Sequence, residues 1–512
     1  MQCRIIAAAI FGPQNDGANA NAEFVSVSIP EMFPILANGT ADLFVTGATH
    51  TMERQAFLNY ANASFMFSTP YLYDGLRVGG LPEMVKCADD NFRHLNECAG
   101  LKVCVTSGTS HLMTLEQYLP DQLIVRMDFT RDGPVGIGLA DGRCNVVINE
   151  GRSLTEAYVR NNGYNGTFVV GNSIYSNEPL SAGTRSGDAQ FSDFVDSVIQ
   201  ALFAAEYHNI TQQTAHLFPQ TDVFGEEYKD MFRNAIAYAG NFGEVYRSDP
   251  TFPKQRVELN YVNDGTTSSG LLYSHPFGDV ENARDSRVPL SANLTSVMER
   301  GYVRCGIRGG RPGFATKVDD DESTTGSSPY KGMDVEFCKL LAAGLFSTDT
   351  TAVEYVELEN IQEGYALLAA GKLDVVAGAT RTLQTEVKEP STGIGFAFST
   401  PYFYGYSEDE DNFSLATMED HDWASYVYWM IMGTIFAEEQ GIVQSDGYNQ
   451  MPEVFVYGPE LRRMFRDGIL AIGNYAEIYN RTAGMVVERS GRNLLNQSPH
   501  LGPQQYVMPG II

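Results

Sequence analysis

Gly47-Ala-Thr-His-Thr-Met-Glu-Arg54, followed by Phe67-Ser-Thr-Pro-Tyr71, returns later in the chain as Gly378-Ala-Thr-Arg-Thr-Leu-Gln-Thr385, followed by Phe398-Ser-Thr-Pro-Tyr402. Both landmarks move by 331 residues, so the spacing inside the unit is unchanged. A fixed internal period means two copies of one structural plan. A further echo, Gly240-Asn-Phe-Gly-Glu-Val-Tyr246 against Gly473-Asn-Tyr-Ala-Glu-Ile-Tyr479, moves by only 233 residues. Between these landmarks the second copy is therefore shorter by 98 residues.

Working outward from the first landmark, Glu23 to Ser28 reads as a strand. Pro30 to Ala37 reads as a helix stopped by Asn38-Gly39, and Asp42 to Thr46 as a buried strand. This β-α-β alternation implies a parallel sheet. Met1 to Gly12 reads as the tail of a helix with Ile5, Ile6, Ile10 and Phe11 on its apolar face. Phe67 to Tyr73 is an extended exit from this unit. The alternation restarts at Leu101, and Asn177-Glu-Pro-Leu180 is a second extended crossing. A helix over Phe191 to Tyr207 leads back, and Leu271-Leu-Tyr-Ser-His-Pro276 is expected to close the first copy.

The second copy starts near Asn293, with strands at Tyr302 to Ile307, Val353 to Leu358 and Asp374 to Val376. An acidic loop follows its first strand (Asp319 to Ser328). The acidic stretch Ser407 to Asn412 stands where copy one has its whole second α/β unit, and Arg489 to Met508 is the expected closing segment. The expected domains are 1–75 plus 180–280 as lobe one of copy one, 76–179 as lobe two, 281–292 as linker, and 293–512 as a second copy with lobe one only.

At 512 residues the chain is long enough for two to four domains, and 43% hydrophobic residues are ordinary for a globular protein. A formal net charge of −28 argues against nucleic acid and against an anionic membrane surface as partners. No apolar run reaches the length of a membrane span, so no direct membrane insertion is expected. Met1-Gln-Cys-Arg carries no signal-peptide pattern.

Cys3, in Cys-Arg-Ile-Ile-Ala-Ala-Ala-Ile-Phe11, matches Cys338 in Cys-Lys-Leu-Leu-Ala-Ala-Gly-Leu-Phe346. In copy two that helix follows a strand holding Cys305, whereas copy one begins inside the helix. The expected pairs are Cys305–Cys338, Cys104–Cys144 and Cys87–Cys98, with Cys3 left over because an N-terminal piece is missing. The alternative is seven reduced structural cysteines. Eight Asn-x-Ser/Thr sequons (Asn38, Asn62, Asn165, Asn209, Asn293, Asn412, Asn480 and Asn496) lean, with the cysteines, towards a secreted glycoprotein in an oxidising compartment.

Taken together, these segments resemble family 3 solute-binding proteins, the type II periplasmic binding proteins of amino-acid importers, and in particular their general L-amino-acid-binding subfamily. The resemblance is carried by Asp334-Val-Glu-Phe-Cys-Lys-Leu-Leu-Ala-Ala343, Val103-Cys-Val-Thr-Ser-Gly-Thr109, Gly142-Arg-Cys-Asn145 and Glu178-Pro-Leu180. Ala437-Glu-Glu-Gln-Gly-Ile442, Gly473-Asn-Tyr-Ala-Glu477 and the Thr-x-Thr motif before Ser-Thr-Pro-Tyr complete the ordered set. The implied fold is a clamshell of two α/β lobes joined by two crossings, followed by a copy reduced to lobe one.

The resemblance implies binding of a free amino acid between the lobes of copy one. A zwitterion needs a guanidinium and backbone donors for its carboxylate, and a buried carboxylate for its ammonium. Arg54 stands at the position of the carboxylate clamp, with Gly47 and Thr49 beside it. Ser107, Gly108, Thr109 and Ser110 stand where the second carboxylate cradle lies, and Glu150 stands at the ammonium-accepting acid. The bland alternatives are a surface ion pair for Arg54 and a plain N-cap for the Ser-Gly-Thr-Ser stretch. His50 and His111 have no partner motif that suggests catalysis.

Copy two has Thr385 in place of Arg54, which leaves at most a weak site at Phe314, Thr380 and Arg381. No cofactor or metal is expected. The reading implied is a substrate-binding component for transport or sensing, with a membrane transporter or receptor as its partner. A dehydratase of the arogenate/prephenate kind on the same fold, and a non-binding interaction scaffold, are the alternatives.

Overall fold

The structure, a computed structural model, describes residues 2–13, 21–92, 94–116, 118–248, 260–262, 270–318, 328–389, 391–405 and 412–496. Most of the two acidic stretches and the end of the expected closing segment lie outside these residues.

Copy one contributes strands β1 (Leu43–Thr49), β2 (Phe65–Phe67), β3 (Leu72–Gly80), β4 (Val103–Thr106), β5 (Ile124–Met127), β6 (Val146–Glu150), β7 (Val169–Val170) and β8 (Asn177–Arg185). They join in the order β1-β8-β3-β6-β4-β5, with β2 also on β8 and β7 also on β3. The two long strands explain the two lobes. β3 and β8 pair with each other antiparallel only from Leu72↔Leu180 to Gly75↔Asn177. Beyond that patch β8 runs into lobe one, where Leu180 to Arg185 meet β1 and β2. β3 runs the other way, and Leu76 to Gly80 pair with β6 of lobe two. Each strand thus belongs to both lobes, and four residue pairs are the hinge. In lobe two, β6-β4-β5 is parallel, as the restarted α/β alternation requires.

Copy two contributes β9 (Val303–Ile307), β10 (Thr316–Lys317), β11 (Tyr330–Lys331), β12 (Val353–Glu357), β13 (Val375–Ala379), β14 (Phe396–Phe398) and β15 (Ser414–Met418). Its main sheet runs β12-β9-β13-β15-β14. β13, β15 and β14 repeat the pairing of β1, β8 and β2, antiparallel in every case. At Phe403, where copy one leaves for lobe two, copy two turns straight back by bridging to Phe413.

The comparison of the two sheets corrects one expectation. Residues 22–28 form no strand. Their counterpart, β12, does not sit on β13; it sits on β9, which in turn sits on β13. Among the described residues, residues 22–28 have no intermediate strand of that kind to pair with. The sequence pattern is right for a strand, but a strand exists only as a ladder with a neighbour.

The two copies are joined by exchange. Met52 and Ala56, on the short helix Met52–Ala56 of copy one, are fully buried in the core of copy two. Leu383, on helix Leu383–Val387 of copy two, is buried in the core of copy one. Residues 52 and 383 are one repeat apart, so the same position crosses in both directions. Burying a Met or Leu side chain in this way contributes about 1.5–3 kcal/mol each. Around this pair the ring of His50 stacks on Tyr428 at 5.6 Å, and Arg381, one repeat after His50, pairs with Asp196 at 2.5 Å. Tyr428 and Asp196 lie on the returning helices His421–Glu439 and Ala189–Tyr207.

A second correction concerns the end of copy one. Leu271, Leu272, Phe277 and Val280 belong to the core of copy two, not of copy one. The backbone N–H groups of Leu271 and Leu272 donate to Arg492 and Leu494 at 2.9 and 3.2 Å. Copy one is closed earlier, by Asn260, whose side-chain oxygen accepts from the Tyr73 N–H (2.7 Å) and whose amide donates to the Tyr73 carbonyl (3.0 Å). Asn493 repeats this clasp on Tyr404, at 2.8 and 2.7 Å. A planar amide next to a strand end offers one donor and one acceptor in register with the backbone, which neither leucine in Leu271-Leu272 does.

The disulfides Cys87–Cys98 and Cys104–Cys144 lie in lobe two, and Cys305–Cys338 ties β9 to the helix Met333–Leu345 of copy two. Cys3 is half-buried and forms no disulfide. Of the eight sequons, Asn412 and Asn496 are 5% and 8% exposed, which leaves no room for a glycan on the folded chain; the other six asparagines are exposed.

The clasp is testable. Asn493→Ala removes the side-chain partner of the N–H and C=O of buried Tyr404, at about 1–3 kcal/mol per group left unsatisfied. Both tryptophans, Trp423 and Trp429, lie on helix His421–Glu439, so fluorescence during urea unfolding reports on copy two. The expected result is a clear drop in the urea midpoint of Asn493→Ala; an unchanged midpoint removes the clasp as a stabilising element.

Candidate ligand-binding site

The C-terminal end of β1 brings Gly47 and Thr49 to the face where the lobes meet. Gly47 has φ +77°, a left-handed conformation that a side chain rarely adopts. A Cβ placed there would lie 2.2 Å from the Arg152 guanidinium, so the glycine lets a lobe-two arginine rest against lobe-one backbone. The Tyr71 hydroxyl, from the Phe-Ser-Thr-Pro-Tyr landmark, accepts from the Gly47 N–H at 3.1 Å. Thr51 caps the helix Met52–Ala56, its hydroxyl accepting from the Arg54 N–H.

That cap aims the Arg54 side chain inward. Arg54 is 6% exposed, donates from Nη1 to the Thr49 carbonyl at 2.6 Å, and lies over the Phe33 ring at 5.2 Å. No carboxylate among the described residues forms an ion pair with it. A buried guanidinium without a counter-ion is unusual, because the ion's lost hydration costs several kcal/mol unless a partner restores it.

The opposite wall comes from lobe two and the hinge. Glu150, at the end of β6, is 8% exposed and takes Arg152 at 2.9 Å on one oxygen, with His111 at 3.8 Å from the other. Arg152 also lies 3.7 Å from Asp74. Glu178, on the hinge part of β8, is fully buried. It accepts from the hydroxyls of Thr49 and Ser176 and, at 3.5 Å, from Ser110. These contacts link Gly47, Thr49, Arg54, Ser110 and Glu150 across the face where the lobes meet.

The cradle is only partly as expected. The Ser107 N–H is spent on the Met127 carbonyl, and the Thr109 hydroxyl donates to the Thr106 carbonyl at 2.7 Å. Gly108 supplies the left-handed turn between them, with φ +74°. Ser110 is the one side chain of this stretch that reaches the cleft acids.

Sequence reasoning missed His111, Arg152 and Glu178 as parts of the cleft. Glu178 was legible as part of a crossing motif, but only the strand pairing shows it facing Thr49. The charges balance through these three. Burial would raise the Glu150 carboxyl, but His111 and Arg152 outweigh it and hold it below its usual value. Burial would lower His111, but Glu150 and Glu178 overcome this and raise it. Burial raises Glu178, and burial together with the Glu150 charge raises Asp74 to about 6. A general acid for dehydration must be protonated near neutral pH, and Glu150 is held ionised. Among the described residues no cluster of three or more His, Cys, Asp or Glu is placed to hold a metal.

Among the described residues, copy two does not repeat this set of contacts. Phe314 packs edge-on against Phe403 and Phe413, at 4.9 Å each. The Thr380 carbonyl accepts from the Tyr365 hydroxyl at 3.4 Å, and Arg381 is committed to Glu386 in its own copy and to Asp196 across the copies. The three residues do not converge. Gly378 does repeat the Gly47 arrangement, with φ +67° and the Arg311 guanidinium 2.5 Å from where its Cβ would stand.

No family model matches the chain. The chain is 26% identical over 293 residues to the general L-amino acid-binding periplasmic protein AapJ of Rhizobium johnstonii, a match that covers 54% of this chain and 81% of the relative. It is 24% identical over 295 residues to the glutamate/glutamine/aspartate/asparagine-binding protein BztA of Rhodobacter capsulatus, covering 54% and 82%. The chain is related to amino-acid-binding proteins of ABC transporters. Among solved structures, an ABC transporter periplasmic binding protein from Brucella ovis with glutathione bound covers 51% of this chain and 83% of its own, at 24% identity and a TM-score of 0.41.

The charge balance predicts a titration. His111 is expected to titrate above the usual histidine value of about 6.5, read from its ring proton by NMR. Glu150→Gln removes a negative neighbour from the charged form and is expected to lower that value; a titration that does not move shows that Glu150 is not the partner.

Proposed function

We propose that copy one binds a free L-amino acid between its lobes, as the substrate-binding part of a transport or sensing system. The observation that carries this reading is Arg54: buried, held by a single carbonyl, and without a carboxylate partner among the described residues. An α-carboxylate supplies the missing counter-ion, in the bidentate geometry that a guanidinium prefers. The ammonium goes to Glu150, which exchanges part of its pairing with Arg152 for the ligand. Thr49 and Ser110, from opposite lobes, close over the ligand from the two sides, and the hinge pairs Leu72↔Leu180 to Gly75↔Asn177 absorb the motion. AapJ and BztA, by their names, bind amino acids, which accords with this chemistry.

Copy two is an accessory module in this reading, since Thr385 replaces Arg54 and its hydroxyl donates to the Thr380 carbonyl at 3.3 Å, filling the arginine's role within the loop. Among the described residues no helix is long and apolar enough to cross a membrane. Three disulfides favour an oxidising, extracellular or periplasm-like compartment, with the exposed sequons as candidate glycan acceptors. A membrane transporter or receptor is the proposed partner of the closed form.

Titration calorimetry of the full chain against the twenty common L-amino acids tests the reading. Micromolar binding of at least one is expected, weakened at least about 30-fold in Arg54→Ala, since removing one partner of a buried charge pair costs about 2–5 kcal/mol. No binding by any of them, or undiminished binding in Arg54→Ala, overturns it.

A further inference from the structure

The seam between the copies encloses a cavity of about 210 Å³, partly open to solvent. Its walls come from matching stretches of the two copies, Phe67 to Pro70 and Phe398 to Pro401, and from the two returning helices. It is separate from the cleft between the lobes: neither Arg54 nor Glu150 lines it.

The polar groups of this cavity are out of balance. Asp193, on helix Ala189–Tyr207, is 8% exposed and faces the cavity, and it makes no hydrogen bond or ion pair with any described residue. The nearby guanidinium, Arg381, is spent on Asp196 (2.5 Å) and on Oε1 of Glu386 (2.6 Å). The other oxygen of Glu386 is buried and unmet. Glu419 adds a further carboxylate without a hydrogen-bond partner among the described residues. Asp420 is already occupied, capping its helix and accepting from Ser291 and Asn293.

The histidines do not restore the balance. His50, His275 and His421 all line the cavity, and burial lowers all three, His50 to about 4, so none is a cation at neutral pH. Asp193, Asp196, Glu386 and Glu419 therefore face a single positive charge. Burial, together with neighbouring carboxylates, pushes Asp193 well above the usual range, and burial pushes Glu386 to about 7. The remaining wall is aromatic and apolar, with Phe396, Phe398, Tyr428 and Met432.

We propose that this cavity is a second ligand site, distinct from the inter-lobe cleft, for a small organic cation: an ammonium group on an aromatic or aliphatic body. The ammonium meets Asp193 and Glu419, where charge-assisted hydrogen bonds replace like-charge repulsion. The body lies against the aromatic wall, whose faces also attract a cation. At roughly one water-sized volume per heavy atom, the space admits a ligand on the order of ten heavy atoms. Because the walls come from both copies, such a ligand holds the copies together by binding only their joined state.

Benzylamine is the probe, and benzyl alcohol its uncharged counterpart, measured by calorimetry and thermal shift on the full chain, on Asp193→Asn and on Arg54→Ala. Saturable benzylamine binding with one site and a raised melting temperature is expected for the wild type and for Arg54→Ala. Asp193→Asn is expected to weaken it at least tenfold, and benzyl alcohol to produce no shift. Asp193→Asn removes a repulsive charge and keeps the side-chain shape; if that variant fails to fold, Glu419→Gln takes its place. The proposal is overturned by absent benzylamine binding, by equal binding of benzyl alcohol, or by undiminished binding in the carboxylate variant. Loss of benzylamine binding in Arg54→Ala also overturns it, by placing the amine in the inter-lobe cleft. Failure of the amino-acid screen leaves this test intact, because Arg54 serves only the cleft.

Discussion

The arrangement rests on one exchange: Met52 buried in the core of copy two, and Leu383, the same position of the repeat, buried in the core of copy one. Each side chain joins the core of the opposite copy. A reciprocal contact of this kind gives an internal pair the logic of an isologous dimer, in which one patch meets itself across a two-fold axis. Here the two faces are free to diverge, and they have. His50 in copy one stacks on Tyr428, while Arg381 at the matching position forms an ion pair with Asp196. The uneven charge of the seam cavity follows from that divergence.

The same landmark serves two ends. In copy one, Gly47 and Thr49 face lobe two while Met52, a few residues on, faces copy two. Thr51 separates the directions by starting the helix with its cap. Arg54 then lies on the cleft side, a helical turn from His50 on the seam side. The loop thus links the inter-lobe contacts to the joint between copies through about eight residues. In copy two the cleft side has lapsed, with Thr385 satisfying its own loop, but the seam side is kept.

Much of this was legible in the chain. The 331-residue step gave the duplication, and the shorter 233-residue step gave the loss of a lobe from copy two. Strand and helix patterns located the hinge strands and the returning helices. Where reading failed, the missing information was a neighbour. Glu23 to Ser28 has a strand's composition but, among the described residues, no strand to lie against. Leu271-Leu272 has the composition of a closing core segment, but the core it enters is the other copy's. Arg381 reads as a weak ligand residue until Asp196, which precedes it by 185 residues, is seen to hold it.

The sequence by itself determined the periodic plan, the spacing of the cysteines, and the order of a guanidinium, hydroxyls and an acid along copy one. These are properties of local order and spacing. The tertiary structure alone decided which charges are paired. His111, Arg152 and Glu178 enter the cleft because β3 and β8 cross between lobes, and Asp193 faces a cavity because two copies pack face to face. Whether a buried charge has a counter-ion depends on groups far away in the chain, since the energy of an ion depends on what surrounds it. Spacing along one chain does not carry that information.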